Sequence, residues 1–125
     1  MTNYASAADT TAVYDRQAFL ARLDGDEQLE RELIELFLED YPETLTAIEY
    51  AIGTGDAARL RLSAHCLRGT VANFGAHVAQ ECAHRLEQMG RSGALTGAPE
   101  IYAALVEALV RLRSALIGLS ARLAS

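Results

Sequence analysis

The feature that most constrains the fold is a spacing. Leu60, Ala64, Leu67, Val71 and Phe74 follow one another at steps of four, three, four and three. Only an α-helix brings such positions to one side, because each residue turns the chain by about 100°. The same rhythm recurs along the chain. Leu29, Leu33, Leu36, Phe37, Tyr41, Leu45, Ile48 and Ile52 mark one long stripe, and Ala79, Cys82, Leu86 and Met89 mark another. Ile101, Leu105, Ala108, Leu112, Leu116, Leu119 and Leu123 mark the last. Alanine and leucine make up about a third of the 125 residues and there are two prolines, a composition that favours helix.

Local signals divide these stripes into elements. Asp15 can cap a short helix, D-R-Q-A-F-L-A-R-L, with Phe19, Leu20 and Leu23 as its apolar side. Asp24-Gly25 makes a turn and Asp26 caps the next helix, expected over 26–53. Pro42 lies inside it, but the apolar phase passes through without a slip, so the expectation is one kinked helix. Gly53-Thr54-Gly55 ends it and Asp56 caps the following one, which Gly75 stops. A helix over 76–91, a loop from Gly90 to Gly97, and a final helix with Pro99 in its first turn complete the chain.

Four amphipathic helices on short connections predict an all-α fold, an antiparallel four-helix bundle with a short extra N-terminal helix as a lid. Residues 15–125 are expected to form a single domain. Residues 1–14, rich in Ala, Thr and Ser without a period, are expected to be a mobile N-terminal tail.

Charge and composition exclude several classes. All the basic side chains are arginine, and the net charge is −6. Residues 1–56 hold 13 acids and three arginines, whereas 57–125 hold four acids and eight arginines. No basic stripe dense enough for nucleic acid is present. No apolar run is long enough for a membrane span, and no secretory signal opens the sequence. The expected location is the cytoplasm, where Cys66 and Cys82 are reduced, partly buried thiols.

The informative segment is Ser63 to Ala76, S-A-H-C-L-R-G-T-V-A-N-F-G-A. With the apolar stripe at 0°, His65 falls at about 140° and faces away from the core. Arg61 and Arg68 flank it, and Ala58, Gly69 and Ala72 leave the surface around the ring low. Gly69 costs about 1 kcal/mol relative to alanine within a helix. What it provides is clearance beside the imidazole for a second protein. Arg68, one turn on, offers a fixed charge suited to a phosphoryl group. A neutral imidazole nitrogen is a competent nucleophile near pH 7. The same residues also fit an ordinary surface histidine on an arginine-rich helix.

The segment resembles the signature of histidine-containing phosphotransfer (HPt) domains. The matching residues are His65, Leu67, Arg68, Gly69, Thr70, Ala72, Gly75 and Ala76. The stretch L-D-G-D-E-Q-L-E-R-E-L-I-E-L-F-L-E-D-Y-P-E-T-L looks like the family's preceding helix, and C-A-H-R-L-E-Q-M-G-R like its following one. Arg68 stands where lysine is commoner, which keeps the charge and changes its geometry. Val71 falls where a small polar residue is frequent.

The resemblance implies a four-helical phosphocarrier without a cofactor of its own. His65 would accept a phosphoryl group from the aspartyl phosphate of one receiver domain, through Nε2, and pass it to another receiver. The receiver would supply Mg²⁺ and most of the catalysis. Arg68 would steady the phosphoryl group, and Glu87 would take the role of the residue that orients the imidazole. Ala58, Arg61, Leu62, Gly69 and Ala72 make up the expected docking face. The expected partners are receiver domains of response regulators or hybrid kinases, met by a monomeric free shuttle. The acidic preceding helix, with Glu30, Glu35 and Glu39, would turn wrong partners away.

Two other readings were open to the sequence. One is a helical interaction module that binds a receiver or kinase without carrying phosphate. The other is a metal site from His77, His84 and Cys82, against which stands the need for three or four converging ligands, since Cys82 lies on the core stripe and His84 does not. Asp24, Asp26, Glu27 and Glu30 lack the loop of a calcium site and read as a solvated acidic helix start.

Overall fold

The computed structural model describes residues 13–124. The helices are α1 (Arg16–Arg22), α2 (Glu27–Thr54), α3 (Ala57–Asn73), α4 (His77–Ser92) and α5 (Ala98–Ala124). No strand occurs among the described residues. Three aspartates cap as their positions suggest: Asp15 accepts from the Ala18 amide, Asp26 from Leu29 and Asp56 from Arg59. Gly55 and Gly93 take left-handed conformations that close α2 and α4. Helix α2 runs through Pro42 unbroken.

Helix α3 packs on α4 and on α2, and α5 closes on both α4 and α2. The core between them holds Ile34, Phe37, Ile48, Leu60, Leu67, Val71, Leu86, Leu105, Leu112 and Leu116. The α3 and α5 stripes face this core as their spacing requires. On α2 the buried line is displaced. Leu29 and Leu36 are exposed, while Ile34 and Glu30 are fully buried. Glu30 is therefore no part of a solvated acidic start, nor of a partner-screening surface. Its carboxylate accepts from the Tyr14 hydroxyl at 2.8 Å and from Arg16 Nε and Nη2 at 3.0 Å each. A buried carboxylate needs such partners, and the start of α1 with the residues just before it brings them.

The pairing with Tyr14 bears on the residues before α1. Most of the expected tail lies outside the described residues, but Tyr14 is buried and meets Phe19 and Phe74 edge-on. Helix α1 is fastened to the α3–α4 turn. The Asp15 amide donates to the Phe74 carbonyl at 2.9 Å, and Arg22 donates to the Asn73 carbonyl. Gly75 has φ +63°, and a Cβ there would lie 2.5 Å from that of Asp15. Glycine is required by both conformation and contact.

Gly90 belongs to α4, not to a loop, because the helix continues to Ser92. It is buried, and a Cβ on it would stand 2.5 Å from the Arg61 nitrogen and 2.7 Å from the Ala57 carbonyl oxygen. The missing side chain lets α3 and α4 approach backbone to backbone. One thiol expectation changes as well: Cys66 is exposed, whereas Cys82 is half-buried.

Candidate phosphotransfer site

The close approach of α3 and α4 sets the geometry around His65. The imidazole is on the outer side of α3, with 63% of its side chain exposed. Glu87 reaches it from α4, with 3% exposed. Their separation is 2.8 Å, from His65 Nδ1 to Glu87 Oε2. A carboxylate can only accept, so Nδ1 carries the proton and donates. The neutral ring then has its lone pair on Nε2, the nitrogen remote from Glu87.

Two arginines neutralise Glu87. Arg91, one turn along α4, donates to Oε2 at 3.3 Å. Arg68 Nε lies 2.9 Å from Oε1, close enough for an ion pair but misaligned for a hydrogen bond. Burial pushes the Glu87 carboxyl up, yet the His65 hydrogen bond and the charges of Arg68, His65 and Arg91 outweigh it. The net result is a carboxyl held below its ordinary value. Arg91 was not picked out in the sequence; its signal is the glutamate four residues earlier on the same helix.

Arg68 touches more than Glu87. Its Nη2 stands 3.3 Å from His65 Nδ1 and its Nη1 stands 3.4 Å from His84 Nδ1. His84, expected to be a solvated histidine, is half-buried beside it. Among the described residues no group of three His, Cys, Asp or Glu side chains converges as a metal site would require.

The surface near the ring is low, as the small residues suggested. Nothing lies within 4 Å of a Cβ built on Gly69. Ala58, Arg61 and Leu62 are exposed and Ala72 is half-buried. Leu62 is 61% exposed, large for an unpartnered leucine. Cys66 and Leu67 border a groove of about 280 Å³ that Leu36, Asp40 and Tyr41 line from α2.

A family model for the Hpt domain matches residues 32–115. The chain belongs to the Hpt family. Among solved structures, histidine-containing phosphotransfer protein B (HptB) from Pseudomonas aeruginosa PAO1 is similar, with 26% identity and a TM-score of 0.81. The likeness covers 87% of this chain and 95% of that one. No curated protein matches. The Hpt chain is a histidine phosphocarrier of a phosphorelay, a carrier and not an enzyme in the ordinary sense, and its kind interacts with receiver domains.

Proposed function

We propose that His65 is the phosphoacceptor and that it exchanges its phosphoryl group with receiver-domain aspartates. The observation that carries this is the 2.8 Å contact between His65 Nδ1 and the buried Glu87 carboxylate. It fixes the proton on one nitrogen and leaves the other free on an exposed ring.

The exchange balances without a proton transfer. The Nε2 lone pair attacks the phosphorus of an aspartyl phosphate, the Nε2–P bond forms, and the P–O bond breaks with its electrons on the departing carboxylate. The ring keeps its Nδ1 proton and becomes a phosphoimidazolium cation. Glu87 faces that cation with a full negative charge, which stabilises it more than a neutral amide would. In the return direction the leaving group is the neutral imidazole with the same proton in place. Arg68 steadies the phosphoryl oxygens. Mg²⁺ and the remaining catalysis come from the receiver.

Ala58, Arg61, Leu62, Gly69 and Ala72 form the docking face, with arginine charge opposite an acidic receiver centre. We assign α2–α5 to an antiparallel four-helix bundle with α1 as the added short helix; the closed packing of α2, α3, α4 and α5 supports this. We place the carrier in the cytoplasm as a monomer. No described helix is long and apolar enough to cross a membrane.

The test is incubation with a phosphorylated receiver domain. The protein should acquire an acid-labile, alkali-stable phosphate, and His65→Gln should acquire none. Equal labelling of His65→Gln would remove His65 from the role. Labelling of neither, with intact binding, would favour the pure interaction module.

A further inference from the structure

His84 is a titratable group at this site that the exchange above does not use. It contacts Arg68, the residue assigned to the phosphoryl group, and the chemistry of that contact is asymmetric. A guanidinium can only donate. His65 Nδ1 already donates to Glu87, so the 3.3 Å approach of Arg68 Nη2 to that nitrogen sets two donors face to face. His84 Nδ1, at 3.4 Å from Nη1, has no such obligation. In its neutral form with the proton on Nε2, it accepts from Arg68.

The guanidinium is thus gripped at two places and free at a third. Nε is drawn to Glu87 Oε1 at 2.9 Å, and Nη1 is held by His84. Among the described residues Nη2 is left without an acceptor, at the edge of the His65 ring. We infer that His84 is a positioning residue for phosphotransfer: by accepting from Nη1 it fixes the Arg68 fork beside the His65 ring and keeps Nη2, unpaired among the described residues, available to a phosphoryl oxygen. Glu87 alone holds one corner of the fork and leaves it free to pivot. A second acceptor stops the pivot, and less order has to be created when the anion arrives.

This inference rests on the assignment of His65 and Arg68 above. It makes one claim that does not need phosphate. The two imidazoles take opposite tautomers, with the proton on Nδ1 in His65 and on Nε2 in His84. Nitrogen NMR of the protein with labelled histidine, recorded where the ring signals no longer change with rising pH, reads this directly. A protonated Nδ1 in His84 would overturn the inference.

The functional test uses phosphoramidate, a small donor that needs no cognate receiver. His65 Nε2 attacks its phosphorus, the Nε2–P bond forms, the P–N bond of the donor breaks, and ammonia leaves with the proton the donor nitrogen carries. His84→Leu should load about threefold more slowly, the scale of one partly exposed hydrogen bond to a charged group. His84→Gln, whose side-chain oxygen can accept, should restore most of the rate. In an Arg68→Ala background, His84→Leu should change nothing further, whereas a merely structural role would still lower the rate. Wild-type loading in both His84 variants, or an undiminished effect without Arg68, overturns the role of His84 alone. If the wild type takes no phosphate on His65, the functional assignment fails and the inference with it.

Discussion

Glu87 meets His65 from the neighbouring helix, a buried carboxylate against an exposed imidazole, 2.8 Å apart. The pair divides two tasks between two environments. The exposed partner is reachable, and the buried one is oriented. Removing Glu87 should leave the ring free to rotate and to take either tautomer. Glu87→Leu should therefore lower the rate of His65 phosphorylation by about tenfold, as loss of one charge-assisted hydrogen bond does. Glu87→Gln keeps an acceptor and should fall between, because it lacks the charge facing the phosphoimidazolium. Rates from phosphoramidate loading would show the order.

Acid should weaken the fold through the same residue. The Glu87 carboxyl is pushed up by burial and pulled below its ordinary value of 4.5 by His65, Arg68 and Arg91. A depressed folded value means a contribution that is complete above the unfolded value and lost as pH falls through the folded one. Chemical denaturation from about pH 5 down to about pH 3 should show the wild type losing more stability than Glu87→Gln. Parallel slopes for the two proteins would contradict this.

At Gly90 the two helices approach backbone to backbone. A Cβ would meet the Arg61 nitrogen at 2.5 Å and the Ala57 oxygen at 2.7 Å, both backbone atoms that cannot swing aside. Gly90→Ala should destabilise the protein by about 1–3 kcal/mol despite the better helix propensity of alanine. It should also slow phosphorylation, since pushing α4 off α3 lengthens the His65–Glu87 contact. Thermal unfolding and loading rates should fall together.

Gly69 predicts the opposite combination. Its surroundings are open, so Gly69→Ala should be tolerated and should raise stability by about 1 kcal/mol. The added methyl stands on the proposed docking face. Transfer from a receiver domain should therefore slow while loading from phosphoramidate stays near wild type. A slower reaction with both donors would place the glycine's role in the ring's own environment.

The helical stripes of α3 and α5 were legible because their apolar residues form narrow lines facing one core. The α2 stripe was only half legible. Its apolar residues spread over a wide arc, and which of them face inward depends on α1, a partner the local sequence does not name. Glu30 looked solvated for the same reason. The groups that bury and satisfy it, Tyr14 and Arg16, come 14 to 16 residues earlier. At the site, His65, Arg68 and Gly69 lie on one helix, and their relation follows from its geometry. Arg91 is signalled only by Glu87 one turn before it, and the position of His84 carries no periodic signal of its contact with Arg68. Gly90 read as a loop because glycine before a run of small residues is the usual end of a helix; its role as a spacer appears only once α3 lies against it.

The charges around His65 have a timing consequence. Glu87 carries one negative charge against the two positive charges of Arg68 and Arg91. The unloaded site is therefore already positive by about one charge before any cargo arrives. In water an anion settling on a ring would have to recruit and orient its own counter-ions. Here that rearrangement took place once, when α4 closed on α3, and each passing phosphoryl group finds an electrical environment already set for it.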